Sequence, residues 1–336
     1  MATIAVGQRS AVVARSTTDR AVLRAYLEQD RLFAAYAICD LEDREFGRTR
    51  WGIATEGDEI VAVGLEYSGI TPQPLFLMGR NDGIEALLQH VVRPRVAYLA
   101  AKAEALPAVA SLYNLDPGPP MIRMWVDRTR FQPAPAATER LLPVEVGELN
   151  RLYQLGFGAW LPSSTIAEGV YYGIRVNGKL VSAAGTHVIS RTARLAVVGN
   201  VLTHDDHRGR GYAQAVTSAV TAELLRYCDQ VVLNVRSDNP PAVQAYRRLG
   251  YTEHCRFEER LVRRTTSPWA DLTAPLRRLL SRGAARGGDA QGANRTAVQH
   301  ARGPANNDQA HPIDDLPLDD PSLASPSPDG PPEEPR

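Results

Sequence analysis

Arg208-Gly209-Arg210-Gly211-Tyr212-Ala213 is the stretch whose reading decides the fold. It follows an apolar run, Leu195–Leu202, with the residue types of a strand, and precedes Tyr212–Leu225, which has the character of a helix. A glycine-rich turn between strand and helix leaves the first backbone N–H groups of the helix without partners. They lie at the positive end of its dipole, which is a place for phosphate. Gly209 and Gly211 permit close backbone approach to a ligand, and Arg208, Arg210 and His207 add donors and charge. The hexapeptide is not a Walker A loop, because no Gly-Lys-Ser/Thr closes it, and it is not a GxGxxG fingerprint. Taken alone, it fits a pyrophosphate cradle and a flexible nucleic-acid-binding arm equally well.

The flanks separate those readings. Gln230–Val235 (QVVLNV) reads as a buried strand. In Ser237-Asp238-Asn239-Pro240-Pro241, Asn239 suits a helix N-cap and the prolines its first turn. The helix continues to Leu249 and stops at Gly250, and Tyr251–Arg260 reads as a last strand. Two patterns are therefore linked. R-x-x-G-x-A falls on Arg208, Gly211 and Ala213, and N-x-x-A-x-x-x-Y-x-x-x-G-[FY] on Asn239, Ala242, Tyr246, Gly250 and Tyr251. With the strand Gly199–His204 ahead of the loop, they resemble the GNAT acetyltransferase superfamily over roughly Glu139–Arg263.

The resemblance implies an α/β (α+β) acyl-CoA N-acyltransferase fold in which two parallel strands, here Leu195–Thr203 and Gln230–Val235, splay apart. The pantetheine arm of acetyl-CoA, or of another acyl-CoA, would enter the gap and pair with exposed backbone. The implied cofactor-binding residues are Val201, Leu202, Thr203, Arg208, Gly209, Arg210, Gly211, Tyr212, Ala213, Asn234 and Asn239, with Gly199 permitting a bulge that opens the sheet. The Val201 backbone N–H would donate to the thioester oxygen as an amine attacks directly, and Tyr246 would protonate the leaving thiolate. Both residues also fit plain core positions, and Asn239 fits a helix cap. The base is not evident, since the Leu195–Thr203 strand carries no acid. His187, on Leu180–Ile189, is one candidate, Glu168 another, and a water chain a third. His204 and His207 are assigned to the phosphates, and no metal is expected.

Acceptor specificity is expected from Leu152–Ala167 (Trp160, Leu161, Pro162, Ser163, Ser164) and from Tyr171 and Tyr172, which could equally be core. No acidic cluster marks a polyamine site. A small-molecule primary amine or amino acid is therefore expected, with a peptide N-terminus as the alternative. The competing classes are a CoA-binding sensor without turnover and a scaffold that works through its tail.

The 336 residues carry 38 Lys+Arg against 38 Asp+Glu, so no basic field draws the chain to nucleic acid or an anionic membrane. Cys39, Cys228 and Cys255 show no CxxC spacing and fit a reducing cytoplasm, and no apolar run reaches membrane-span length. A homodimer is allowed for. The chain divides into residues 1–130, a linker at 131–138 (FQPAPAAT from Phe131), a second domain at 139–264 and a tail at 265–336 expected to be disordered, except for an apolar helical spacing at Trp269–Leu280. The first part reads as a helix at Asp19–Ala35, strands at Trp51–Ala54 and Ile60–Tyr67 around a Gly57-Asp58 turn, a strand at Pro74–Met78, a helix at Asn81–Val91, a strand at Arg95–Ala100, a helix at Leu106–Leu115 and a strand at Met121–Asp127. This order resembles a degenerate first GNAT core without the loop, a tandem layout similar to the glycine N-acyltransferase-like branch. The Gly79–Gly83 turn is a candidate anion nest.

Overall fold

A computed structural model describes residues 11–134, 136–154 and 161–265. Trp160 and the tail with its Trp269–Leu280 spacing lie outside the described residues.

The chain begins with β1 (Val12–Ser16), α1 (Arg20–Leu27), α2 (Ala35–Cys39) and α3 (Asp43–Phe46), and continues through β2 (Thr49–Glu56), β3 (Glu59–Tyr67) and β4 (Gln73–Gly79). Next come α4 (Asn81–His90), β5 (Val96–Ala101), α5 (Leu106–Ala110), β6 (Tyr113–Leu115) and β7 (Met121–Asp127). The second half has β8 (Glu139–Arg140), α6 (Val146–Gln154), α7 (Ser163–Glu168), β9 (Tyr171–Val176), β10 (Lys179–Ser190) and β11 (Leu195–Thr203). It closes with α8 (Tyr212–Leu224), β12 (Gln230–Arg236), α9 (Pro240–Arg248) and β13 (Thr252–Arg264).

Two local expectations fail for tertiary reasons. The helix expected over Asp19–Ala35 is broken: α1, capped by Asp19 accepting from the N–H groups of Ala21 and Val22, ends at Leu27, and a 3-10 turn redirects the chain. That turn lets Leu32 and Phe33 bury themselves in the same cluster as α1 and α2. The helix expected over Leu106–Leu115 stops at Ala110, because Tyr113–Leu115 pairs with β13 instead. Strand β1 has no counterpart among the expected elements.

All thirteen strands described join one sheet in the order β1-β2-β3-β4-β5-β13-β7-β12-β11-β10-β9-β8, with β6 on β13. The middle of this order exchanges strands between the sequence halves. β7 pairs antiparallel with β12 from Gln230↔Asp127 to Arg236↔Met121. β13 lies against β7 through Thr252–Phe257 and against β5 through Glu258–Arg263.

Helices cover both faces. On one, α8 and α9 pack on Ala196, Val198, Leu233 and Val235. On the other, α1, α2 and the turn between them pack Leu27, Ile38 and Phe33 against residues of both halves, including Val63, Phe76, Val197, Val232 and Phe257. The alternation of strand side chains thus assigns Leu233 and Val235 to the α8 face, and Val232 and its in-phase neighbour Asn234 to the α1/α2 face.

Candidate functional site

The site is built where β11 and β12 part. They pair in parallel from Leu195↔Gln230 to Val198↔Leu233, and no pairing continues beyond. Past this fork, β11 stays joined to β10 on its other edge (Ala183↔Leu202, Ser182↔Thr203), so its edge toward β12 is left without a strand. The separation starts at an irregularity in β11 between Gly199 and Leu202. The left-handed residue there is Asn200, with φ 52°, and not Gly199. Gly199 answers to a different demand: a Cβ on it would lie 2.2 Å from His187 Nε2.

Beyond β11 the chain makes a short 3-10 turn, Asp205–His207, and reaches the loop. Gly211 occupies the N-cap of α8 with φ 77°, a left-handed conformation that costs other residues about 1–2 kcal/mol. No acid stands in the first turn of α8. Arg208 is half-exposed and paired to Asp205 at 2.7 Å, Arg210 reaches the Asp206 carbonyl at 3.4 Å, and His207 stacks on Tyr212 with its buried Nδ1 lacking a partner. A cavity of about 260 Å³ runs from this loop to the fork, lined by Val201, Thr203, Gly209, Gly211 and Ala213, and on its α9 side by Tyr246. A left-handed glycine cap, an orphaned buried imidazole nitrogen and an open strand edge in one cleft match the needs of a pyrophosphate with an extended arm.

The structure thus brings most of the expected cofactor residues to this cavity and leaves four outside it, of which Arg210 lines a neighbouring cavity. Leu202 turns its side chain into a separate small core with Leu141, Leu149 and Tyr153. Asn239 caps α9 by accepting from Ala242 N–H at 3.2 Å. Asn234 faces away from the cavity, its Nδ2 3.4 Å from Glu259 Oε2, and its buried Oδ1 has no partner.

On the α1/α2 face, His187 is held at both ring nitrogens, Nδ1 to Tyr36 Oη at 2.6 Å and Nε2 to Asn200 Oδ1 at 3.0 Å. Asn200 Nδ2 donates to Tyr171 Oη (3.1 Å), which donates to the Thr186 carbonyl (3.0 Å). That chain leaves Asn200 Oδ1 as an acceptor, so His187 Nε2 carries a proton and Nδ1 accepts from Tyr36. A base with both nitrogens engaged is poorly placed to take a proton from a substrate, so the geometry gives His187 the role of fixing Asn200. Burial raises the Tyr171 hydroxyl well above the ordinary phenol range, and its bond from Asn200 opposes this. A second cavity, about 300 Å³, is bounded by His187, Asn200, Tyr171, Glu42, Glu45 and Glu168. Glu168 is paired with Arg44, and Glu45 accepts from Tyr67 at 2.6 Å. These acids come from α3, α7 and their flanks, which no local pattern could bring together.

Among the described residues of the first half, the corresponding strands do not part in the same way. Strands β4 and β5 pair from Gln73↔Ala97 to Leu77↔Ala101, within two residues of the end of β4. In the turn proposed as a nest, the Asp82 carboxylate accepts from Gly83 N–H at 2.8 Å, and Arg80 is clamped between Asp82 and Glu56. An anion there would displace a carboxylate already in place. Among the described residues no His/Cys/Asp/Glu group of three could hold a metal ion, and no helix is long and apolar enough to cross a membrane.

Comparison with known proteins agrees with this geometry. Residues 171–261 match the family model of FR47-like proteins. Among solved structures, a GCN5-related N-acetyltransferase from Sphaerobacter thermophilus aligns over 75% of this chain and 95% of its own, with TM-score 0.53 and 16% identity. A Drosophila protein aligns over 75% and 98%, with TM-score 0.56 and 12% identity. In fold, the chain is similar to this GCN5-related N-acetyltransferase. Among curated proteins, mycothiol acetyltransferase of Corynebacterium jeikeium is 48% identical over 48 residues, which is 14% of each chain. That of Corynebacterium aurimucosum is 42% identical over 55 residues, 15% of this chain and 18% of its own. The match thus spans less than a fifth of the curated relatives' length.

Proposed function

We propose that the chain is an acyl-CoA-dependent N-acyltransferase, most simply an N-acetyltransferase, that passes an acyl group to a primary amine of a small molecule or amino acid. The observation that carries this reading is the single cleft in which the left-handed Gly211 cap, the opened β11 edge at Val201 and the Tyr246 side chain meet. The names of the two relatives, both acetyltransferases, favour acetyl over longer acyl groups.

Within this reading, Gly209, Gly211 and the first N–H groups of α8 hold the pyrophosphate, with Arg208, Arg210 and His207 around it. The β11 edge at Val201–Thr203 aligns the pantetheine arm, and Val201 N–H polarises the thioester oxygen as charge develops on it. Tyr246, nearly fully buried in the cleft wall, donates its proton to the thiolate. The halves 1–130 and 139–264 form a tandem in which the second takes the acyl donor, consistent with the paired β4–β5 and the occupied Gly79–Gly83 turn.

Calorimetric titration with acetyl-CoA, longer acyl-CoAs and free CoA tests this. One micromolar site per chain is expected. Two sites would return the first half to cofactor binding, and none would remove the transferase reading in favour of a non-catalytic role.

A further inference from the structure

Asn200 and Val201 share one peptide group, and its two ends face different parts of the molecule. His204 N–H donates to the Val181 carbonyl at 2.8 Å, continuing the ladder of Ala183↔Leu202 and Ser182↔Thr203. The hydrogen-bonding groups of an antiparallel strand alternate between its two edges, so Leu202 and His204 turn theirs to β10. Val201 and Thr203 turn theirs to the other edge, the one that β12 has left. Val201 N–H therefore points into the fork. The peptide joining it to Asn200 is trans, and the carbonyl and N–H of a planar trans group point opposite ways. The Asn200 carbonyl is thus directed away from the fork, and there Tyr153 Oη donates to it at 2.6 Å.

The surroundings of Tyr153 suit it to this bond. Its side chain on α6 is 1% exposed and packs in one cluster with Leu141, Leu149, Leu152 and Leu202. Burial, and after it the nearby Tyr171, holds the hydroxyl well above the ordinary phenol range, so it keeps its proton and stays a donor. In a low dielectric, a hydrogen bond to the oxygen of an amide draws charge toward that end and makes the N–H at the other end a better donor, by roughly 10–30% per bond. The bonds to His187 and Tyr171 hold Asn200 by its side chain and do not act on this peptide group.

We propose that Tyr153 is a positioning residue for acyl transfer: it aims and polarises the peptide group whose far end, Val201 N–H, receives the thioester oxygen. The inference rests on the acyl-transfer reading. As the amine nitrogen bonds to the acyl carbon, the carbonyl π pair moves onto the oxygen, and the Val201 bond tightens with the charge. When that pair returns, the C–S bond breaks, the sulfur takes the Tyr246 proton, and the proton on the new C–N nitrogen goes to water. The products are the amide and the CoA thiol, and the Tyr246 phenolate regains its proton from water. Tyr153 exchanges no proton and touches no substrate. Its effect reaches the reacting carbonyl through one peptide bond.

The test uses the full chain with acetyl-CoA carrying carbon-13 at the thioester carbonyl, and needs no acceptor. Isotope-edited infrared spectra give the carbonyl band free and bound. Bound to wild type, the band should move to lower frequency, and Tyr153→Phe should lose about a quarter of that displacement or more. Tyr171→Phe, which frees the Asn200 side chain and leaves the Tyr153 bond, should keep it in full. Replacing Tyr153 with 3-fluorotyrosine, a stronger donor with nearly the same packing, should increase the displacement, and it carries the test even where the phenylalanine variant does not fold. A wild-type band that does not move on binding overturns the proposal. So does a displacement that neither Tyr153 variant changes, or one that Tyr171→Phe reduces as much as Tyr153→Phe, which would leave only a general loosening of the strand. Wild type that binds no acetyl-CoA in calorimetry instead overturns the acyl-transfer reading itself.

Discussion

The Tyr153 hydroxyl donates to the Asn200 carbonyl at 2.6 Å, tying α6 to the one left-handed residue of β11. The bulge that opens the sheet is therefore anchored twice, through its carbonyl by Tyr153 and through its side chain by His187 and Tyr171. Tyr153→Phe leaves a buried carbonyl without its partner, at about 1–3 kcal/mol. The expected result is a lower denaturant midpoint with unchanged slope, together with weaker acetyl-CoA binding because the strand edge loses its set.

Gly199→Ala places a methyl against His187 Nε2, where 2.2 Å is available. His187 must move, and its bond to Asn200 breaks. Overpacking of this kind costs about 1–3 kcal/mol, so thermal unfolding should shift down by several degrees. A melting temperature equal to wild type would show that the imidazole is free to swing aside.

Gly211→Ala forces a side chain into the left-handed N-cap of α8, where nothing crowds the added carbon and only the backbone conformation resists. Stability should fall by about 1 kcal/mol, while acetyl-CoA affinity should fall at least tenfold as the N–H groups lose their aim. Calorimetry separates the two effects, and undiminished affinity would refute the cradle.

Tyr246→Phe removes a hydroxyl and leaves the ring's packing against Tyr251, 6.2 Å between centroids. Turnover should drop about 100-fold with little change in acetyl-CoA binding. Equal turnover would assign Tyr246 to the core alone.

Glu259 gives stability a pH dependence. Its folded carboxyl stands near 7, above the unfolded value of about 4.3, so the folded state binds the extra proton. Its contribution is fully present below the unfolded value and is lost as pH rises through about 7. Glu259→Gln should therefore gain stability over wild type at pH 8, on the order of 2 kcal/mol, and little at pH 4. Chemical denaturation of both proteins at the two pH values checks the sign.

Much of the second half was legible because its signals are local. The loop at Arg208–Ala213, the cap at Asn239 and the stop at Gly250 each need only a handful of neighbouring residues. The misreadings share one cause. Leu106–Leu115 has a helical pattern that loses at Tyr113 to pairing with β13, a partner nearly 150 residues away. The sequence points to Gly199 as the bulge, whereas the left-handed residue is Asn200 beside it, and the His187 ring above Gly199 explains that glycine. Glu259 stands on a long strand where nothing local marks it. Its meaning depends on Asn234 and Arg123, brought beside it by β12 and β7. Contacts such as Tyr36 to His187, 151 residues apart, leave no trace in spacing.

The position of β13, laid along β5 at one end and β7 at the other, has a consequence for how the molecule comes apart. Neither half can shed this strand without exposing the hydrogen-bonding edge of the other, so melting of one should drag the second with it. Calorimetry should then record a single cooperative transition, and a chain ending before Thr252 should yield two damaged halves and not one intact domain. What looks in sequence like two beads on a string would behave, on heating, as a single bead.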